Sequence, residues 1–278
     1  MKLFSLFSKQ LQPAWSFNAS HTLWRVIFSD NGIIVADSRN TESKIAAFSC
    51  IDSRTGSVLW SDKTYDEQWW IGIEGIADGR LYLHGFRKPD MPEHQGITCI
   101  DLKSGSVLWK NNDRSFLTVH HSDVYGYRDL FERRLYYKIN RNNGTVEEEM
   151  QSLPDDVEEN RQLEKTNFTF PESLNKETAE SWKLLLSSTA LTDSQIAVAE
   201  FIPAEKFHVF AVYARNTAAD EGLKNTLYIV DTGGKKKVYS DVLNGSTPYP
   251  VPDSFFMDGN RVYYIKERKS LVAVDLPD

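Results

Sequence analysis

Apolar residues along this chain recur at alternate positions or in short unbroken runs, and the runs are bounded by Gly, Asp, Asn and Ser. That is the pattern of β-strands separated by tight turns, and long stretches of helical periodicity are missing. "TLWRVIF" (22–28), "SDNGIIVAD" (29–37), "AAFSCID" (46–52) and "SVLW" (57–60) predict four strands in succession. "WWIGIEGI" (69–76), "ADGRLYLHG" (77–85), "GITCID" (96–101) and "SVLW" (106–109) predict four more. A third set runs "SFLTVHH" (115–121), "DVYGYR" (123–128), "RRLYYKIN" (133–140) and "TVEEE" (145–149). A fourth runs "QIAVAEFI" (195–202), "FHVFAVYAR" (207–215), "NTLYIVD" (225–231) and "KKVYSD" (236–241). The last set, "DSFFM" (253–257), "RVYYIK" (261–266) and "SLVAVDL" (270–276), is one strand short. "PAWSFNA" (13–19) precedes the first set and has no other partner, so it is expected to supply the missing strand.

The first two sets share a phrase. "CIDSRTGSVLW" (50–60) and "CIDLKSGSVLW" (99–109) agree at eight positions, 49 residues apart, and each reads as strand, Gly turn, strand. Self-similar units of four strands at this period are the blades of a β-propeller, which removes sheet edges by closing a ring. The expected fold is therefore all-β: a single propeller domain over residues 1–278, with four-stranded antiparallel blades and closure by the N-terminal strand. The count gives five blades, or six if residues 150–190 hold a degenerate unit. Residues 150–194 form the one large insertion. Its acidic half, "EEEMQSLPDDVEEN" (147–160), has seven carboxylates in fourteen residues and is expected to be a mobile linker. Its second half, "PESLNKETAESWKLLLSS" (171–188), is expected to be a helix capped by Ser173, with Glu177 in its first turns and Leu174, Trp182, Leu185 and Leu186 on one side.

Asp52, Gly56 and Trp60, and again Asp101, Gly105 and Trp109, resemble the D-x-x-T/S-G-x-x-x-W motif of quinoprotein-type (PQQ-like) propeller repeats. The likeness fades along the chain. Asn140 and Gly144 keep the turn but Glu148 replaces the tryptophan, and Asp231 and Gly233 survive in a shorter turn. In that family the motif tryptophan packs between blades, so the resemblance implies a fold and no cofactor. The quinone enzymes of the family are longer, hold calcium and often carry adjacent cysteines; this chain has no adjacent pair. The resemblance points instead to bacterial families of such repeats to which no activity is attached.

Composition narrows the function classes. A net charge of −7 disfavours a nucleic-acid binder, which needs a cationic surface to displace counterions. The basic run "GGKKKV" sits at a turn and is read as a solvated tip. Cys50 and Cys99 occupy equivalent repeat positions, expected to lie too far apart for a disulfide, and are read as small strand residues. No stretch approaches the roughly 20 apolar residues of a membrane span. "MKLFSLFSKQ" is too interrupted for a signal peptide, so a cytoplasmic protein is expected, with a short amphipathic anchor over residues 1–10 as the alternative.

No G-x-S-x-G elbow, H-E-x-x-H, C-x-x-C, phosphate-binding loop or EF-hand spacing occurs, so the enzymes defined by those motifs are not expected. No cofactor or metal is implied. His120 and His121 are adjacent in a strand, where alternation sends them to opposite faces. His94 stands in a presumed long loop beside Asp90 and Glu93. What remains is positional. First-to-second and third-to-fourth turns are short, whereas every long loop (38–44, 61–68, 87–96, 150–194, 216–224, 242–252) falls on the other face, the usual place of a binding surface. Trp69, Trp70, Phe116 and Phe255 begin inner strands on that face, near the expected channel mouth. Trp69 and Trp70 should point opposite ways, leaving one open. Arg128, Asp129 and Glu132 belong to a charged loop there, continued by Arg133 and Arg134. The expected function is non-enzymatic binding of a protein or peptide through this face. The alternative is a carbohydrate-active enzyme using carboxylates such as Asp129 and Glu132.

Overall fold

Gly and Asp turns fold each segment back on its predecessor, and the outcome is an all-β protein of several antiparallel sheets. The computed structural model describes residues 10–88, 91–162, 168–175, 179–215 and 222–277. The chain divides into two compact units, one formed by Met1–Asn18 with Asn167–Asp278 and the other by Ala19–Thr166.

β1 (Trp15–Asn18) belongs to the first unit. The Ala19–Thr166 unit opens with β2 (Thr22–Phe28), β3 (Ile33–Asn40), β4 (Ile45–Asp52) and β5 (Val58–Lys63), an antiparallel sheet in sequence order. β6 (Ile71–Ala77), β7 (Arg80–Lys88), β8 (Met91–Asp101) and β9 (Val107–Asn111) repeat it. So do β10 (Ser115–His120), β11 (Asp123–Asp129), β12 (Arg134–Ile139) and β13 (Val146–Met150), linked to the preceding set by one parallel pair, Ser115 with Gly96. α1 (Asp155–Gln162) follows.

The repeated phrase has a mechanical explanation in this unit. Asp52 Oδ1 accepts hydrogen bonds from the backbone N–H groups of Arg54 and Thr55, at 3.1 and 2.7 Å. Asp101 does the same for Ser104 at 2.7 Å, and Gly56 and Gly105 complete the two turns with φ of 73° and 70°. Each motif tryptophan then reaches the turn of the next sheet. Trp60 Nε1 donates to Leu102 O at 2.8 Å and its ring lies over Gly105; Trp109 Nε1 donates to Arg141 O at 2.7 Å and its ring lies over Gly144. Asp shapes a turn, Gly leaves it bare, and the preceding Trp covers it. Two clusters form the core of the unit, one around Phe48, Cys50, Trp60, Leu81 and Ile100, the other around Tyr82, Cys99, Trp109, Tyr137 and Ile139.

In the other unit β14 (Glu172–Leu174) precedes α2 (Ala179–Ser188), and β15 (Ile196–Pro203), β16 (Phe207–Arg215), β17 (Leu223–Asp231) and β18 (Lys236–Thr247) follow. Together β14 to β18 make a five-stranded sheet in sequence order. β19 (Phe255–Asp258), β20 (Arg261–Lys266) and β21 (Ser270–Asp275) form a second sheet, completed by β1 in the register Trp15 with Ala273. The predicted pairing of residues 13–19 with the last strands is what the structure contains. Val209, Leu227, Phe255, Tyr264 and Val274 share one core cluster, and Leu174, Leu185, Phe201 and Phe210 share another.

The insertion differs from expectation. The acidic stretch is ordered as β13 and α1, because β12 offers an edge to Glu148, Glu149 and Met150 and because Val157 is buried to 1% exposure. Ser173 caps no helix: it is a strand residue opposite Glu200, and α2 starts only at Ala179. Pairing with the free edge of β15 satisfies the backbone of residues 172–174 and overrides their local helical pattern. Leu174 and Leu185 still share a cluster, with Trp182 against it. Just upstream, Thr169 exchanges both backbone hydrogen bonds with Met257. Residues 169–174 thus touch both sheets in this unit, β15 through the ladder of 172–174 and β19 through Thr169. Glu177 and residues 1–9 lie outside the described residues.

Candidate functional site

The richest polar arrangement lies in the Ala19–Thr166 unit, at the strand ends from which the longer connections leave. The presumed loop 87–96 is mostly sheet: β7 runs to Lys88 and β8 starts at Met91, so His94 is a strand residue paired with Phe86. Two register irregularities bring side chains together there. Glu74 sits at the shift between Ile73 and Gly75 in the β6–β7 ladder, and His84 at the shift between Leu83 and Gly85 in the β7–β8 ladder. His94 Nδ1 donates to Glu74 Oε1 at 2.8 Å, and His84 Nδ1 lies 3.2 Å from the same oxygen but off the hydrogen-bonding direction. The two imidazoles stack at 3.5 Å with 9° between their planes. Gly72 makes this possible, since a Cβ there would stand 2.8 Å from the His84 ring. Phe86 meets both rings edge-on, and Trp70 meets Phe86 edge-on at 5.9 Å.

Burial pushes the Glu74 carboxyl up, but the close approach of both imidazoles, with the hydrogen bond from His94, outweighs it and holds the group below its ordinary value. The stack is a poor metal cage. Ring-nitrogen lone pairs lie in the ring planes, and in near-parallel planes 3.5 Å apart they do not converge on one ion.

Beside the stack, Arg39 binds the buried Asp37 at 2.9 Å and donates to Trp69 O at 3.0 Å, tying β3 to the start of β6. Burial pushes the Asp37 carboxyl up, with Arg39, Arg25 and His84 opposing in part. The Arg39 guanidinium also stands over the rings of Trp24 and Trp69, and Lys44 caps Trp69 at 4.7 Å. On the other side of His94, Arg87, Glu93, Asp113, Arg128 and Asp129 help line a small polar pocket of about 120 Å³.

Trp69 and Trp70 precede β6 and do not begin it, their N–H groups held by Glu67 Oε1. Trp69 is half-buried and Trp70 is exposed. Trp70, His94, Arg128 and Asp129 are thus near one another in the same unit. Glu132 lies in the exposed turn that follows Asp129, with Leu130 and the fully exposed Phe131. Phe116 is not open at a channel mouth; it stacks on Tyr82 at 5.0 Å against the core. Phe255 is buried completely in its unit's core, because inward alternation on β19 sends it there.

The alternation argument for the histidine pair also fails. His120 ends β10, but His121 has φ of 52°, and this left-handed residue brings the two rings within 4.0 Å of each other. The cysteines behave as read: both are buried and free, their thiols pushed up to about 12 by burial. Asp37, Glu74 and His84 were missed. The one available signal was a charged or imidazole side chain inside an otherwise apolar run, "IIVAD" and "LYLHG". Nothing local marks Trp24 or Phe86.

No helix among the described residues is long and apolar enough to cross a membrane. A family model described as a domain of unknown function (DUF4905) matches residues 27–109, the stretch holding both copies of the repeated phrase. No curated protein matches the chain. Among solved structures, BBS1N in complex with ARL6DN aligns at 10% identity over 91% of this chain and 64% of that one, with a TM-score of 0.28. An exo-beta-1,3-galactanase from Phanerochaete chrysosporium, with beta-1,3-galactotriose, aligns at 7% identity over 94% of this chain and 64% of that one, with a TM-score of 0.30. The chain therefore spans just under two thirds of the length of each.

Proposed function

We propose that the chain is a β-propeller of quinoprotein-like repeats, five blades closed by the pairing of β1 with β21, and that it works in the cytoplasm as a non-enzymatic binder of a protein or peptide. The blade count rests on the sets β2–β5, β6–β9, β10–β13, β15–β18 and β19–β21 with β1. The observation that carries the function is the display of large aromatics at the strand ends that bear the polar cluster. Trp24 is 61% exposed, Trp70 is 40% exposed and Phe131 is fully exposed, with the exposed Leu130 beside it. Isolated apolar residues on a surface are ordinary, but aromatics with neighbouring charged groups are what binding hot spots are made of.

The carbohydrate-enzyme reading has less support. It needs two carboxyl groups free to act across one pocket; Glu93, Asp113 and Asp129 do line the small polar pocket, but Glu93 is paired with Arg87 at 3.2 Å. Both oxygens of Asp129 are engaged by Arg134, at 2.6 and 3.0 Å, and Glu132 stands in the exposed turn beyond.

The test compares capture by wild-type protein and by Phe131→Ser and Trp24→Ser variants, using crosslinking with mass-spectrometric identification. Because both side chains are exposed, unfolding should shift by no more than about 0.5 kcal/mol. A specifically captured partner should bind roughly 30-fold more weakly if either residue is a hot spot. Undiminished recovery of every specific partner by both variants would refute the reading.

A further inference from the structure

We propose that His120, His121 and Asp156 hold a first-row divalent metal ion of the zinc type, which fastens α1 to the end of β10. The three residues arrive from different elements: His120 from the last position of β10, His121 from the turn, and Asp156 from the first turn of α1. One ligand atom from each lies within 4.8 Å of the others, and His120 Nε2 is 3.1 Å from Asp156 Oδ2. Metal–ligand bonds of about 2.0–2.2 Å place neighbouring ligands of a tetrahedral ion about 3.3 Å apart, so that pair is already at coordination spacing. The remaining closure is small and falls on His121, an exposed side chain free to rotate.

The contrast with Glu74, His84 and His94 is geometric. There the rings are parallel; here their planes are inclined at 53°, so their in-plane lone pairs can meet at one point. The charge balance also favours a cation. Two neutral imidazoles and one carboxylate leave an ion with one positive charge, and Asp123, cross-strand from His120, and Asp155 and Glu158 of α1 are close in sequence or pairing. Asp123 is shared with Lys138 at 2.9 Å, which keeps it out of the first coordination sphere. Asp156 is 63% exposed and His120 is 14% exposed, so water completes the coordination and the ion exchanges with solution.

The consequence is mechanical as well as chemical. Without an ion, the described residues that hold α1 are Val157, through its burial, and the His120–Asp156 hydrogen-bonded pair. With one, the helix is crosslinked to the sheet.

The test is titration of tag-free, chelator-stripped protein with Co²⁺, read by visible absorption, alongside Zn²⁺ read by thermal unfolding. One equivalent of Co²⁺ should give saturable d–d bands of a low-coordinate site, and Zn²⁺ should raise the unfolding midpoint. His121→Ala and Asp156→Asn, both at exposed positions, should each weaken binding at least tenfold and abolish the Zn²⁺ shift. His94→Ala should change neither. Absence of saturable binding at one equivalent would overturn the proposal. So would binding that survives both His121→Ala and Asp156→Asn, or binding lost in His94→Ala, which would place the ion at the stacked pair.

Discussion

Gly144→Ala should be far more costly than Gly79→Ala, although the two glycines share a φ of 74°. Both substitutions place a Cβ in left-handed backbone, a common cost of roughly 1–2 kcal/mol. They differ in what the new methyl meets. At Gly79 nothing lies within 4 Å, whereas at Gly144 the Cβ would stand 2.4 Å from Trp109 Cε3 and 2.8 Å from Cδ2. Trp109 is buried, and its Nε1 is fixed to Arg141 O at 2.7 Å, so the ring cannot swing away without losing that bond. Overpacking of this kind adds about 1–3 kcal/mol, for a total of about 2–5 kcal/mol at Gly144. Trp109→Ala alone should cost roughly 3–5 kcal/mol, but it removes the obstacle. In that background Gly144→Ala should fall to the Gly79→Ala value, leaving a coupling energy of about 1–3 kcal/mol. Urea unfolding followed by circular dichroism on the four variants and the wild type measures all these terms. If Gly144→Ala is no worse than Gly79→Ala, or its excess persists without Trp109, the ring is not seated on the turn. The motif tryptophan would then need another explanation. Gly105→Ala against Trp60 is a second instance, with a Cβ at 2.9 Å from Trp60 Cδ2.

Deleting residues 1–19 should cause aggregation or broaden unfolding, because it removes the buried Trp15 and Phe17, each worth about 1.5–3 kcal/mol, and bares the edge of β21. Deleting residues 1–10 keeps Leu11 and the bond from its N–H to Val238 O, and should be mild; equal stability of both deletions would refute terminal pairing. Glu74→Gln tests the stacked pair through pH. The folded carboxyl is held below its ordinary value of 4.5, so its contribution is fully present above that pH and is lost as pH falls through the folded value. The stability gap between wild type and Glu74→Gln should therefore shrink on acidification below about 4.5, and a gap that widens there would show that the carboxyl is not stabilised in its ionised form. Gly72→Ala should displace the His84 ring, visible as a changed imidazole resonance, and an unchanged resonance would argue against the close packing.

The strands were legible because alternation and turn chemistry are local. Asp78-Gly79 lies between the paired Ala77 and Arg80 with both φ values positive, as the two-residue turn in "ADGR" demands. The acidic stretch and the first part of the helix expected at 171–188, whose second part is α2, were misread for the opposite reason. Their conformation is set by partners remote in sequence: Glu148 faces Lys138 across a ladder, and Ser173 faces Glu200. A propensity argument sees the residues and not the edge that receives them. The long-loop reading of 87–96 failed in a milder way, since pairing simply continued past the point where its apolar alternation stopped. Phe116 and Phe255 were placed on the correct elements, and packing takes both: Phe116 stacks on Tyr82 and Phe255 is fully buried.

The same limit explains why the polar clusters were invisible. Period-2 alternation separates neighbours on one strand, so a regular strand would not bring His120 and His121 onto one side, and which residues of β6, β7 and β8 meet depends on a register that is not written locally. Each cluster exists where that period is broken: at the register shifts around Glu74 and His84 in one case, and at the left-handed His121 in the other. Such breaks give up ladder hydrogen bonds or cost backbone strain, and the one at Glu74 recurs between the first two strands of other sets, at Leu23/Arg25, Phe116/Thr118 and Ile196/Val198. The core positions beside them, Ile73 and Leu83 in the first case and Val124 in the second, are buried in ordinary apolar clusters. What sets these two places apart is that the side chains re-aimed there, Glu74, His84 and His121, are titratable, metal-competent or both. That combination directs the first experiments to these two places and away from the Asp, Gly and Trp positions of the repeated phrase, which are engaged in shaping one turn and covering the next.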